Sequence, residues 1–82
     1  MIAAGDIFYD RGIVELFKQL VHRLSTPGVT VILVAQKLRE NAQGEAVALI
    51  NEEEIRSIFT FCSVELVRQE ANVLIWYMVV IQ

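Results

Sequence analysis

At 82 residues the chain supports one small hydrophobic core and no more. Hydrophobic residues make up 55% of it and the mean hydropathy is +0.48; this is rich for a free-standing soluble domain, so part of the apolar surface is meant for another piece of protein, in the same chain or in a partner. A net charge of −3 without a lysine–arginine cluster argues against nucleic acid, and the longest apolar stretch, Val73 to Ile81, falls well short of the roughly 20 residues that a membrane-spanning helix needs.

Met1 to Gly5 is small and apolar and then meets Asp6, which reads as a buried strand whose carboxyl end turns polar. No basic region precedes it and Asp6 and Asp10 interrupt it, so it does not resemble a signal peptide. Ile13, Val14, Leu16, Phe17, Leu20, Val21 and Leu24 then fall on one stripe of a helix of about 3.6 residues per turn. Asp10 is its candidate N-cap, and Ser25-Thr26-Pro27-Gly28 ends it, because proline cannot continue a helix. Val29 to Ala35 is a β-branched run without alternation, which suits a parallel strand covered by helices on both faces. Strand, helix and strand make a βαβ unit.

Gln36 to Gly44 is polar and reads as a loop. Ala46 to Ile50 is apolar and leaves open whether an earlier helical turn begins there. Asn51 followed three positions later by Glu54 is a capping-box-like start, which predicts a helix over about Asn51 to Phe61 with Ile55, Ile58 and Phe59 inward. Ser63 to Gln69 mixes Val64, Leu66 and Val67 with Glu65 and Arg68, so one side can face water. Val73 to Ile81 is apolar almost throughout and needs cover on both faces. The short Glu70-Ala71 connection makes these two runs antiparallel neighbours, with the apolar run inside the sheet, beside Val29–Ala35, and the charged run at its edge. The fold class is therefore α/β: the second half of a doubly wound sheet, β-α-β-α-β-β, with an antiparallel closing hairpin, forming a single partial domain over residues 1–82.

A last strand inserted antiparallel beside the penultimate one resembles the closing half of the seven-strand fold of S-adenosylmethionine-dependent methyltransferases. More specifically, Asp6-Ile7-Phe8-Tyr9 is similar to the Asp-x-x-Tyr motif that protein lysine methyltransferases of this fold carry after their fourth strand. Val34 to Glu40 after the next strand, and Val64 to Val67 with the hairpin behind it, extend the resemblance over nearly the whole chain. The resemblance implies that Asp6 and Tyr9 are catalytic, Asp6 orienting the incoming lysine ammonium and Tyr9 walling its channel. It also implies S-adenosylmethionine as cofactor and a protein as substrate.

The same family holds its cofactor with a Gly-rich turn after the first strand and an acidic residue ending the second. Here Gly5, Gly12, Gly28 and Gly44 are scattered and make no G-x-G between strand and helix. The chain is then either part of a larger one or a relative that has lost cofactor binding, and its cofactor-binding residues are unknown. A missing N-terminal half or a partner chain is expected at the Met1–Gly5 edge, a homodimer being one such arrangement. Two functions are consistent with this: the substrate-side half of a methyltransferase, or a non-catalytic, degenerate methyltransferase-like module used for packing in a dimer or larger assembly.

Read without the resemblance, Asp6 is a turn aspartate and Tyr9 a packed tyrosine. Lys37 and Arg39 read as a solvated loop that can also meet an acidic surface. Glu52, Glu53 and Glu54 suit the positive end of a helix dipole, and His22 suits a helix C-terminus. Trp76 and Tyr77 fall on opposite faces of the last strand and read as core. The single Cys62 and single His22 allow no intrachain disulfide and no zinc cluster. Cys62 packs as a small apolar residue, and the compartment is expected to be intracellular and cytoplasmic.

Overall fold

Two helix caps organise the local structure. In a computed structural model describing residues Met1–Gln82, Asp10 leaves its own backbone extended and accepts the Ile13 N–H at 3.0 Å, which starts helix α1, Arg11–Leu24. Asn51 does the same for the Glu54 N–H at 2.9 Å and starts helix α2, Glu52–Ile58. The Glu54 carboxylate does not return to its own cap. It accepts instead from Arg11 at the first position of α1, at 2.6 Å, and so ties the two helix starts together. Helix α2 is shorter than the expected span because Phe59 leaves helical geometry to bury its ring, while its N–H still reaches the Ile55 carbonyl.

Four strands form the main sheet: β1 (Ile2–Ala4), β2 (Val31–Lys37), β5 (Cys62–Glu70) and β6 (Val73–Val80), in the order β1-β2-β6-β5. β1 and β2 are parallel, and β6 runs antiparallel to both of its neighbours. The apolar run thus lies inside and the charged run at the edge, where a register shift between Leu66 and Arg68 bulges β5. Ala71 and Asn72 alone turn β5 into β6.

Between β2 and α2, the segment expected to be a loop is more ordered. β2 runs on through Gln36 and Lys37, and β3 (Arg39–Glu40) pairs with β4 (Ala46–Val47) as a small separate hairpin. Its turn closes because Asn41 Oδ1 accepts from the N–H groups of both Gln43 and Glu45, and Gly44 takes φ +76°. Ala46-Val47 is therefore strand, not an earlier helical turn. β2 begins two residues later than the apolar run, because Val29 and Thr30 belong to a turn stapled by Gly28 N–H to the Val80 carbonyl and Thr26 N–H to Thr30 Oγ1.

Burial alternates strictly along β2 and β6. Ile32, Val34, Trp76, Met78 and Val80 face both helices and join Val14, Val21, Ile55 and Phe59 in one core. Val31, Leu33, Ala35, Ile75, Tyr77 and Val79 lie on the opposite face, half-buried and without a helix over them. The expectation of cover on both faces is thereby corrected: both helices pack on the same side. β1 is likewise a half-exposed edge strand, paired with β2 alone, not a buried one. Of the α1 stripe, Val14, Phe17 and Val21 turn inward, while Leu16, Leu20 and Leu24 remain 51–68% exposed.

One polar group lies inside this core. Gln36 is fully buried, accepts the Trp76 indole N–H at 2.8 Å and donates to the Ile50 carbonyl at 2.8 Å. Replacing Gln36 by Ala leaves a buried donor, a buried acceptor and a void. We expect a loss of about 2–4 kcal/mol of stability in urea denaturation. Gln36→Leu, which keeps the volume, should lose about 1–3 kcal/mol from the orphaned polar groups alone.

Candidate functional site

The chain leaves β1 through Gly5 and packs five consecutive side chains to different purposes. Asp6 clips to β2 and β3, Ile7 packs against the core, Phe8 is buried, Tyr9 points outward and Asp10 caps α1. Phe8 anchors the turn: it is 1% exposed and its ring lies 6.2 Å from that of Phe59 at the end of α2. With Phe8 held inside, Tyr9 is turned out, 48% exposed.

The two oxygens of Asp6 have different partners. Oδ1 accepts the backbone N–H of Lys37, the last residue of β2, at 3.1 Å. Oδ2 accepts from Arg39 Nη2 in an ion pair. The same guanidinium lies over the Tyr9 ring, with Cζ 5.7 Å from the ring centroid, within cation–π range. Asp6, Tyr9 and Arg39 therefore form one cluster beyond the carboxyl ends of β1 and β2. About a third of the Asp6 and Arg39 side chains stays accessible to water.

Beside this cluster opens a cleft of about 460 Å³ lined by Lys37, Leu38, Arg39, Glu40, Gly44, Ala46 and Asn72. Its walls come from the end of β2, the β3–β4 hairpin and the β5–β6 turn. Arg39 belongs to both places, whereas neither Asp6 nor Tyr9 lines the cleft. Lys37 makes no ion pair.

The sequence brought Asp6 and Tyr9 to one turn but placed Arg39 in a solvated loop; its pairing with Asp6 corrects that reading. No local signal announces the contact, since the two residues meet only because β1 lies parallel to β2. Glu52 and Glu53 lie exposed in the first turn of α2, as the helix dipole favours. His22 is exposed in the last turn of α1, its ring 4.7 Å from that of Phe61. Trp76 is core, 2% exposed, and Tyr77 points to the opposite, half-buried face.

No protein-family model, curated protein or solved structure matches the chain.

Cys62 opens β5 and is buried, and loss of hydration pushes its thiol from the ordinary 9.0 up to about 11. The thiolate is the nucleophile, so Cys62 is inert near neutral pH. Alkylation by iodoacetamide at pH 8 should be about 10²-fold slower in the folded chain than in urea, and faster at each step toward pH 11. Equal rates would place Cys62 at the surface.

Proposed function

We propose that these residues are the substrate-side half of an S-adenosylmethionine-dependent methyltransferase domain that acts on a protein lysine. One observation carries the reading: Asp6 and Tyr9 together hold a cationic side chain between a carboxylate and an aromatic ring. A lysine ammonium takes the same two contacts, an oxygen to orient it and a ring face beside it. The sheet adds support. On the methyltransferase template β1, β2, β5 and β6 correspond to the fourth, fifth, sixth and seventh strands, with the seventh between the fifth and sixth, and β6 lies between β2 and β5. In this role Asp6 orients the incoming amine and Tyr9 walls its channel.

S-adenosylmethionine supplies the methyl group in such chemistry, but these residues do not build its site. Gly5, in the β1–α1 turn, does not take positive φ, and the glycines that do, Gly28 and Gly44, sit before β2 and in the β3–β4 hairpin. Cofactor binding is therefore assigned to an N-terminal half, or a partner chain, that pairs with the free edge of β1. No step of methyl transfer itself is assigned to this chain.

A second reading has its own support. The uncovered face of β2 and β6, the exposed Leu16, Leu20 and Leu24, and the unpaired β1 edge suit a non-catalytic module that packs in a homodimer or larger assembly. In both readings the chain works in the cytoplasm, where a lone thiol needs no disulfide partner. No helix is long and apolar enough to cross a membrane.

Calorimetric titration with S-adenosylmethionine separates the two. The 82-residue chain alone should show no micromolar binding, and the chain joined to a cofactor-binding half should show it. Micromolar binding by the chain alone would contradict the missing-half assignment, and binding by neither favours the packing module. In the joined domain Asp6→Ala should slow lysine methylation by about 10²-fold while lowering stability by only about 1 kcal/mol, as expected for a partly exposed ion pair. Tyr9→Phe should slow it less, because the ring survives. If Asp6→Ala unfolds the domain while the surviving protein keeps its rate, Asp6 is a structural turn residue.

A further inference from the structure

We infer that Arg39 is an internal occupant of the Asp6–Tyr9 site, and that a primary alkylammonium, the chemistry of a lysine side chain, enters by displacing it. The inference deepens the lysine reading and rests on it for the identity of the ligand. The cation site itself is drawn by the geometry.

The division of labour at Asp6 is the first argument. Oδ1 accepts from a backbone donor, the Lys37 N–H at 3.1 Å at the end of β2, a contact in which the guanidinium takes no part. Oδ2 is held only by a side chain, the Arg39 guanidinium. Removing the guanidinium therefore leaves the carboxylate oriented, with one oxygen free beside the Tyr9 ring. The site is preorganised on one side and exchangeable on the other.

The hold on Arg39 is the second. Both partners are about one-third exposed, and pairs screened by water to that degree bias an equilibrium by no more than about fivefold. Arg39 also stands on the two-residue strand β3, paired only with β4 of the same length. A released guanidinium has somewhere to go, because Arg39 already lines the 460 Å³ cleft together with Glu40. Charge is conserved in the exchange: one monocation leaves the carboxylate and another takes its place.

The opposing reading is a fixed clip in which Arg39 fastens the β3–β4 hairpin to the end of β1. Removing the guanidinium has opposite effects under the two readings. The test is titration of the 82-residue chain with n-butylammonium at constant ionic strength, monitored by NMR of the Tyr9 ring and the Asp6 amide. Arg39→Ala should bind more tightly than the unaltered chain, by up to about fivefold, and Arg39→Gln, which keeps most of the stem, should do the same. Adding Asp6→Asn to Arg39→Ala should abolish the gain, and n-butanol should give no saturable shift with any variant. The proposal is overturned if removing Arg39 leaves the affinity unchanged, if the Asp6→Asn double variant binds as tightly as Arg39→Ala, or if both Arg39 variants unfold, which would establish the clip. The titration contains no cofactor. Absence of methyl transfer in the joined domain would thus remove the methyltransferase reading and leave the displaceable Arg39 standing.

Discussion

Trp76 brings an indole N–H into an interior with almost no polar groups to meet it, and the side chain that meets it is Gln36. A buried donor without a partner carries a penalty comparable to a whole net hydrogen bond or more. The pairing of β2 with β6 is therefore restricted to the register that sets Gln36 within reach of Trp76. The other end of the same amide donates to the Ile50 carbonyl, just before α2. One side chain thus ties the β2–β6 pairing to the point at which the chain turns into its second helix. β2 and β5 are joined in one sheet through β6.

Packing both helices on one side has an equally physical consequence. The alternation of β2 and β6 sends Ile32, Val34, Trp76, Met78 and Val80 to the helices and Leu33, Ala35, Ile75, Tyr77 and Val79 to the other side. Cross-strand pairs such as Leu33 with Tyr77 and Ala35 with Ile75 cover one another there, which leaves them half-buried without a third layer. The exposed part of the α1 stripe and the open edge of β1 add further apolar surface and unpaired backbone. These uncovered regions, together with the core, account for the high hydropathy of the chain.

At the carboxyl end of the sheet, the turn after β1 shows how a short motif is assembled by opposed demands. Phe8 is drawn inward by the ring of Phe59, Asp10 is committed to the cap of α1, and Tyr9 between them is forced outward. Asp6 completes the arrangement by accepting from β2 and β3 at once. A carboxylate, an aromatic ring and a cation thereby meet within one cluster built on strand ends, where the backbone is held by the sheet.

Local chemistry determined what is local. The caps at Asp10 and Asn51, the helix stop at Ser25, the short connection after Glu70 and the contrast between a charged and an apolar strand are all decided by neighbouring residues. They were legible in the sequence, although the turn itself falls on Ala71-Asn72 and takes Glu70 into β5. The burial of Trp76 was half-legible, because alternation sets Trp76 and Tyr77 on opposite faces without saying which face is inside; the exposure of Tyr9, which reads as packed, was not legible. Tertiary structure alone decided the rest. Gln36 and Lys37 extend β2 because Gln36 accepts from a buried indole and the Lys37 N–H donates to the Asp6 carboxylate, both partners distant in sequence. Arg39 pairs with Asp6 because parallel pairing of β1 and β2 brings their carboxyl ends together. Leu16, Leu20 and Leu24 stay outside because a single sheet face offers α1 room for only part of its apolar arc. Helical periodicity marks which residues are apolar together, and only the packed neighbours select which of them are covered.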